Sequence, residues 1–308
     1  MADVPRVACI GECMVELVER PDRTLTRGFG GDTLNTAVYL ARLGVAVDYV
    51  TALGDDPFSD TMLAAWQVEG VGTDFVLRAP GQLPGLYIIQ TDAAGERRFS
   101  HWRDSAPARR LLSLPGHERI AAGLERHALL YLSGITLSLF SPTDRERLFG
   151  LLDAARRRGA RVAFDTNFRA RGWPDLAVAR TAYDRMLRSS DIVFAGWDDL
   201  TPLLGSAGRA DMLAYLRASG AAEALLKLPE ATCHLGVNGT ETMVAIETVP
   251  DIVDTTAAGD SFAAGYLAAR LQGADITAAA KAGHRLAATV IRYPGAIIPL
   301  DRMPASHP

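Results

Sequence analysis

The sequence of 308 residues predicts a doubly wound α/β fold, a mostly parallel sheet with helices on both faces. Two observations predict it. Short apolar runs rich in Val, Ile and Leu alternate with stretches in which apolar residues recur at helical spacing. The hydrophobic content of 48% is enough for one α/β domain with a large core. We therefore expect a single domain spanning residues 1–308.

The elements follow one another in a regular order along the chain. Predicted strands cover residues 7–11, 47–53, 129–133, 161–165, 192–195 and 224–227. Predicted helices cover residues 33–43, 57–69, 142–158, 175–188, 209–218, 258–271 and 276–291. Asp32 is expected to be the N-cap of the first helix, and Gly44 follows its end. Strands that alternate with helices form parallel sheets covered on both faces.

Residues 73–103 interrupt this order with strand-like segments and no helical period. The apolar segment 86–92 and the segment 97–103 flank Ala-Ala-Gly-Glu, which predicts a hairpin. Together with the strand-like residues 14–18, the hairpin predicts a small sheet beside the main one. We expect this sheet, from about residues 12–28 and 73–105, to act as a lid.

One face of the hairpin is chemically unusual. If the loop has an odd number of residues, Tyr87, Phe99, His101 and Arg103 share a face. A face with Tyr, His and Arg suits recognition of a polar, anionic ligand. A solvated outer face is the alternative interpretation.

Charge and cysteine content exclude several classes of protein. The formal net charge is −4, with no long run of like charges, so neither nucleic acid nor an anionic membrane is an expected partner. The three cysteines include no Cys-x-x-Cys pair, which argues against a disulfide scaffold or a zinc finger. No apolar stretch is long enough to cross a bilayer. We expect a protein of the reducing cytoplasm.

The strongest motif is Asp-Thr-Thr-Ala-Ala-Gly-Asp-Ser-Phe at residues 254–262, which opens the predicted helix 258–271. The free N–H groups at such a helix start can bind an anion such as phosphate. Asp260 in the first turn can take a proton from a substrate hydroxyl while these N–H groups stabilise a transferred phosphoryl group. Simple capping of the helix by an aspartate is the alternative.

A second cluster, at residues 28–37, reads Gly-Phe-Gly-Gly-Asp-Thr-Leu-Asn-Thr-Ala. Gly30 and Gly31 allow the backbone to approach a ligand, while Asp32 and Asn35 supply acceptors and donors for a polyhydroxylated substrate. Thr33 stands where a dinucleotide-binding motif needs its third glycine, so a nicotinamide dehydrogenase is excluded. The chain also lacks the P-loop motif and the His-Glu-x-x-His motif of zinc proteases.

The two motifs together resemble the signatures of the ribokinase-like (PfkB) carbohydrate kinases. Their order and separation match that family. One branch, the 2-keto-3-deoxygluconate kinases, resembles the chain over nearly its whole length. The matching blocks are residues 11–17, 28–35, 83–87, 131–135, 254–262 and 295–299.

The resemblance implies a ribokinase-like fold and phosphorylation of the 6-hydroxyl of 2-keto-3-deoxy-D-gluconate, with ATP and Mg²⁺. Asp260 would be the catalytic base, and the amides of Ala257, Ala258 and Gly259 would form the anion hole. The substrate-binding residues it implies are Gly31, Asp32, Asn35, Tyr87, His101, Arg103, Arg169 and Asp260. A sugar acid needs a cation for its carboxylate, which two arginines at family positions supply.

Arg169 follows the predicted strand 161–165, at the edge where open α/β sheets bind ligands. The alternative is an ordinary surface arginine. The resemblance further implies that ATP is bound by Asn167, Lys227, Thr232, Ala257, Ala258, Gly259, Gly283 and Ala288. His284, in the same segment as the last two, either flanks the adenine or packs between helices. The ligands of the metal stay open, with Asp198-Asp199 the nearest acidic pair.

Two features of the nucleotide and sugar sites depart from the family pattern. Leu228-Pro229 replaces the usual x-Gly after Lys227, and Pro lacks a backbone N–H. His101 stands where this branch more often has Tyr. Two rival functions therefore stay open: a kinase for fructose, ribose or 2-keto-3-deoxygalactonate, and a sugar-acid-binding protein without turnover. We also expect a homo-oligomer.

Overall fold

The computed structural model describes residues 5–91, 97–205, 208–228, 232–237, 240–246 and 248–304. The strands are β1 (Arg6–Ile10), β2 (Met14–Glu19), β3 (Leu25–Gly30), β4 (Ala46–Gly54), β5 (Val76–Ala79), β6 (Leu86–Thr91), β7 (Arg97–Trp102), β8 (Leu129–Ser133), β9 (Arg161–Asp165), β10 (Ile192–Gly196), β11 (Glu223–Lys227), β12 (Thr232–Val237) and β13 (Thr240–Ala245). The helices are α1 (Asp32–Arg42), α2 (Pro57–Val68), α3 (His117–Leu124), α4 (Gly134–Leu139), α5 (Pro142–Arg157), α6 (Leu176–Arg188), α7 (Trp197–Leu204), α8 (Arg209–Ala218), α9 (Ala258–Leu271) and α10 (Ile276–Val290).

The large sheet has the strand order β13-β12-β11-β10-β9-β8-β1-β4-β5. Neighbouring strands from β11 to β5 are all parallel, whereas β12 and β13 are antiparallel additions at one edge. All six strands predicted for the parallel sheet lie within it, which confirms the predicted α/β class. The edge strands β5, β12 and β13 were not among the predicted strands.

Helices cover both faces of the large sheet. Leu130 and Leu132 of β8 pack into one hydrophobic cluster with α3 to α8, whereas Leu129 and Tyr131 pack into a second cluster with α1, α2, α9 and α10. Alternate residues of a strand point to opposite faces, so a strand buried on both sides is apolar throughout. This is the physical reason for the continuous apolar runs.

The start of α1 corrects one prediction. Gly31, with an extended backbone, is the N-cap, and Asp32 is the first residue of the helix. The Asp32 carboxylate accepts hydrogen bonds from the Thr33 amide at 2.9 Å and from the Asn167 side chain at 2.8 Å. Asp32 therefore does not cap the helix, and its side chain is directed toward the end of β9.

Three helices were missed by the sequence patterns. α4 has only six residues and begins at Ser133, whose hydroxyl accepts a hydrogen bond from the Thr136 amide. α7 contains Pro202, which usually indicates a helix end. α3 has eight residues and begins after Gly116 in a left-handed conformation. Helices this short contain too few turns for a clear period.

The small sheet has the order β3-β2-β6-β7, and its hairpin pairs Tyr87 directly with His101. This register confirms that Tyr87, Phe99 and His101 lie on one face. The predicted lid segment 73–105 begins too early, however, because β5 pairs with β4 in the large sheet. Among the described residues, no helix has both the length and the apolar character that crossing a membrane requires.

Candidate active site

A cavity of about 460 Å³ lies between the small sheet and the carboxyl ends of β9 and β11. Its walls also include the N-terminal ends of α1 and α9. Carboxyl ends of parallel strands and helix N-termini form the ligand sites of open α/β sheets. Twelve of the predicted site residues line it: Gly31, Asp32, Asn35, Tyr87, His101, Asn167, Arg169, Lys227, Ala257, Ala258, Gly259 and Asp260.

The other predicted site residues are placed differently. Arg103 is not among the lining residues, and its guanidinium instead pairs with Glu12. Ala288 is half-buried on α10 and does not line the cavity. The backbone of Thr232 begins β12, but its side chain lies outside the described part of the structure, as does Pro229 of the nucleotide loop.

Gly283 lies where α9 and α10 touch. A Cβ atom at this position would come within 2.7 Å of the Phe262 carbonyl oxygen, so the glycine allows the two helices to approach. The His284 ring lies 4.7 Å from the Phe262 ring, and its Nε2 is buried without a partner among the described residues. Burial, followed by the charge of Lys227, lowers the pKa of His284 to about 4. A neutral ring between helices agrees with the packing interpretation.

The first turn of α9 places Asp260 at the cavity without using it as a cap. Ala257 is the N-cap, in a left-handed conformation with φ of 60°, and no side chain caps this helix end. The Ala258 amide donates to the Thr255 carbonyl at 3.2 Å. The amides of Ala257 and Gly259 have no acceptor among the described residues. Two of the three predicted anion-binding amides are therefore available.

Helix α1 holds Asp260 in position. The Asn35 side-chain amide donates to Asp260 Oδ2 at 2.8 Å, and the Thr36 hydroxyl donates to the Asp260 carbonyl at 3.2 Å. Partial burial, followed by the nearby Asp32 carboxylate, raises the pKa of Asp260 to about 8. The hydrogen bond from Asn35 opposes this shift. Asp260 is therefore a much stronger base than an ordinary carboxylate.

Lys227 places a positive charge beside the start of α9. Its ammonium lies 3.9 Å from Asp165 Oδ2, and a Cβ atom added at Gly259 would lie 3.3 Å from it. Burial raises the pKa of Asp165 to about 6, although Lys227 opposes the shift. The ammonium and the Gly259 amide thus border the same space, which suits an anionic group.

Asp199, which the sequence suggested only as part of an acidic pair, organises the loop after β9. It accepts hydrogen bonds from the Thr166 hydroxyl at 2.9 Å and the Phe168 amide at 3.0 Å, and lies 3.4 Å from Arg169 Nη1. The Arg169 side chain remains 61% exposed. Its guanidinium therefore keeps donors for a ligand. Asp198 lines an adjoining cavity of about 340 Å³.

The small sheet supplies aromatic side chains to the opposite wall. The His101 ring stacks on those of Tyr87, at 5.8 Å, and Phe99, at 6.3 Å. The Tyr87 hydroxyl donates to Glu16 Oε2 at 2.5 Å. Burial, with the charges of Arg103 and Arg171, lowers the pKa of His101, so its ring is neutral at neutral pH.

The described residues contain no group of three or more His, Cys, Asp or Glu side chains that could by themselves hold a metal ion. Magnesium usually binds through one or two carboxylates together with phosphate oxygens and water. Asp165 and Asp199 both line the cavity and offer that donor set. The residues therefore fit a magnesium ion that enters with a nucleotide.

Comparison with known proteins agrees with this geometry. The family model described as the pfkB family carbohydrate kinase matches residues 4–303. The chain is 46% identical over 307 residues to the 2-dehydro-3-deoxygluconokinase of Dickeya dadantii strain 3937, covering 97% of this chain and 98% of that protein. It is 45% identical over 308 residues to the protein of the same name from Escherichia coli strain K12, covering 97% and 99%.

Among solved structures, the fructokinase with bound ATP from Xylella fastidiosa superposes with a TM-score of 0.83 at 26% identity. The match covers 97% of this chain and 95% of that one. The fold is thus that of the ribokinase-like kinases, as the motifs predicted. The chain belongs to the PfkB family of carbohydrate kinases and is a phosphotransferase of that class.

Proposed function

We propose that this protein transfers the γ-phosphoryl group of ATP to the 6-hydroxyl of 2-keto-3-deoxy-D-gluconate. One observation carries the proposal: Asp260, the free Gly259 amide and the Lys227 ammonium face one cavity, whose rim also has the exposed arginine Arg169. The relatives named 2-dehydro-3-deoxygluconokinase, a synonym for the kinase of this substrate, support the choice of sugar acid.

Asp260 is the general base of the proposed reaction. Its carboxylate takes the proton of the 6-hydroxyl, and the oxygen forms a bond to the γ-phosphorus. The bond from the γ-phosphorus to the β–γ bridging oxygen breaks, and its electron pair leaves with ADP. A base with a pKa of about 8 accepts the proton more readily than an ordinary aspartate does.

Fixed positive groups stabilise the transferred phosphoryl group. The Gly259 and Ala257 amides at the start of α9 point donors at developing negative charge, and Lys227 adds a full charge beside them. Removal of one such group typically costs about 10² to 10³ in kcat. Asp165 and Asp199 would hold a magnesium ion that enters with ATP, and the ion would supply positive charge for the phosphates.

The sugar acid would occupy the side of the cavity formed by α1 and the small sheet. Asn35 Oδ1 is buried and has no partner among the described residues, so it can accept a hydrogen bond from a sugar hydroxyl. Asp32 and Tyr87 lie on the same side. The planar fork of Arg169 suits the carboxylate, which a neutral sugar lacks.

A coupled ADP-release assay with MgATP tests the proposal. The substrates compared are 2-keto-3-deoxygluconate, its galactonate epimer, gluconate, fructose and ribose. We expect the highest kcat/KM for 2-keto-3-deoxygluconate. Turnover confined to neutral sugars would overturn the substrate assignment, and sugar-acid binding without turnover would favour the non-catalytic alternative.

A matched pair of arginine variants tests the carboxylate contact. The side chains of Arg169 and Arg158 are 61% and 62% exposed, but Arg158 lies at the end of α5, where it pairs with Glu125. We expect R169A to lower kcat/KM for the sugar acid at least tenfold more than for fructose, whereas R158A changes neither. Equal losses for acid and neutral sugars in R169A would contradict the contact. Location in the cytoplasm and a homo-oligomeric state stay predictions.

A further inference from the structure

Asn167 stands at a bend of the chain just beyond the carboxyl end of β9, on the wall of the cavity. Its φ is 25°, and in the described part of the chain Arg23 and Ala257 are the other non-glycine residues with a positive φ. Asparagine tolerates this conformation better than most residues do, but at a cost. Such strain persists where the surrounding structure enforces it, often at a functional site. Asn167 is therefore a candidate for a functional role.

The backbone on both sides of Asn167 is fixed by hydrogen bonds. Thr166 is fully buried, and its carbonyl accepts from the Tyr183 hydroxyl of α6 at 2.5 Å. On the other side, the Phe168 amide donates to Asp199 at 3.0 Å. Because both neighbours are anchored, the Asn167 side chain projects from a rigid base.

The Asn167 side chain joins the loop after β9 to the first turn of α1. Its Nδ2 donates to Asp32 Oδ2 at 2.8 Å, across 135 positions of the sequence. The other carboxylate oxygen, Asp32 Oδ1, accepts from the Thr33 amide at 2.9 Å. Each oxygen of a carboxylate can accept more than one hydrogen bond. The Asp32 carboxylate is therefore held in one orientation and can still accept a hydrogen bond from a ligand.

The orientation of Asp32 matters because Asp260 lies on the same wall of the cavity. Asn35 follows Asp32 by three residues on α1, so the two side chains share a face of the helix. Asn35 donates to Asp260 Oδ2 at 2.8 Å. All three residues line the cavity together with Asn167. After burial, the charge of Asp32 is the main cause that raises the pKa of Asp260.

Other titratable side chains also face Asp260. Asp165 of β9 raises its pKa, and Lys227 of β11 lowers it. The charge of Asp260 in turn helps to raise the pKa of three buried phenols, those of Tyr39, Tyr87 and Tyr131. The Asn167 side chain bonds to Asp32, whereas its backbone amide bonds to Asp165 at 3.2 Å. A change of the Asn167 side chain therefore leaves the contact with Asp165 in place.

We propose that Asn167 is a positioning residue that acts through Asp32: from its rigid bend it fixes the Asp32 carboxylate at the cavity wall beside Asp260. This inference rests on the proposed function. The resemblance implied a contact between Asn167 and ATP, whereas the structure directs its amide to α1, on the side of the cavity proposed for the sugar. A carboxylate that is fixed before the substrate arrives loses less entropy on binding.

The first test is a double-mutant cycle on KM. N167G removes the side-chain amide but keeps the bend, because glycine adopts a positive φ freely. We expect N167G to raise KM for 2-keto-3-deoxygluconate about tenfold and to leave KM for ATP within about twofold of the wild type. In the D32N background, N167G should change KM for the sugar acid less than about twofold, because Asn167 acts through Asp32.

Two further variants complete this test. N167D also tolerates the bend but places a second carboxylate against Asp32, so it should raise KM for the sugar acid. D32N/N167D exchanges the two groups and should recover part of that loss. The control is Q90A, which removes another amide–carboxylate hydrogen bond, from Gln90 to Glu19 at 2.7 Å, outside the cavity. Q90A should change neither KM.

A second measurement does not depend on phosphorylation of the sugar acid. D260N removes a carboxylate whose pKa is about 8, so its gain in melting temperature over its parent should grow with pH and level off near pH 8. In the N167G background Asp32 is no longer fixed beside Asp260. We therefore expect the gain to level off about one pH unit lower.

The contrary outcomes separate the inference from the proposed function. An equal effect of N167G on KM for the sugar acid in both backgrounds would show that Asn167 does not act through Asp32. A rise in KM for ATP alone would assign Asn167 to the nucleotide instead. If the wild type does not phosphorylate the sugar acid, the proposed function fails, and the melts decide the inference. A gain that levels off at the same pH with and without N167G would overturn it.

Discussion

Replacement of Asp260 by Asn should abolish turnover and, at neutral pH, stabilise the protein. The variant loses the base but keeps an oxygen that can accept the hydrogen bond from Asn35. General base catalysis contributes about 10² to 10⁴ in rate, so kcat should fall by at least about 10². Binding of the sugar acid, measured by calorimetry, should remain close to that of the wild type.

The stabilisation follows from the direction of the pKa shift. The pKa of Asp260 is about 8 in the folded protein, against 3.8 for an ordinary aspartate. Between these values the folded chain holds a proton that the unfolded chain has lost, so wild-type stability falls as pH rises. Each pH unit is worth about 1.4 kcal/mol. Between about pH 4 and pH 7 the free energy of unfolding of the wild type therefore falls by at most about 4 kcal/mol. We expect a loss of about 1–3 kcal/mol, because the cavity admits water.

Thermal melts of the wild type and D260N between pH 5.5 and 8.5 measure this difference. The melting temperature of D260N should exceed that of the wild type by a margin that grows with pH and levels off above about pH 8. The matched control is D48N. Burial raises the pKa of Asp48, but hydrogen bonds from His127 and Arg6 bring it below its ordinary value. D48N should therefore be less stable than the wild type throughout this range.

The same Asp-to-Asn change is thus expected to raise stability in D260N and to lower it in D48N. A margin for D260N that does not depend on pH would refute the assignment of a raised pKa. A D260N variant less stable than the wild type at pH 8 would show that partial burial and the Asp32 charge do not destabilise the Asp260 carboxylate. Full activity in D260N would remove Asp260 from the mechanism.

Three further predictions concern activity and packing. The rate of sugar phosphorylation should rise from pH 6 to pH 8, since the neutral Asp260 carboxyl must lose its proton to act as a base; a pH–rate profile flat over this range would contradict that. Gly in place of Ala257, whose φ is 60°, should stabilise the protein by about 0.5–1 kcal/mol in urea unfolding, and a loss of stability would exclude strain there. Ala in place of Gly283 should cost about 1–3 kcal/mol because its Cβ would clash with Phe262, with an unchanged unfolding midpoint as the contrary result.

Local patterns predicted much of the fold because they reflect burial. β8 is buried at every position since both its faces are covered, and the period of α10 reflects one buried side. The parity of the hairpin was also predictable, because a two-residue period leaves only two choices of face. Pairing of β5 with β4 was not predictable from residues 76–79 themselves, because a short edge strand fits either sheet.

The arrangement of the candidate site was likewise predictable only in part. The start of α9, with Asp260 in its first turn, was predictable from the motif at residues 254–262, since the first N–H groups of a helix have no partner within it. Two contacts between distant parts of the chain were not predictable: Asn35, 225 residues away, orients Asp260, and Glu12 pairs with Arg103 across 91 residues. Such contacts depend on how helices and sheets pack, and no local spacing records the distance between residues that meet only after folding.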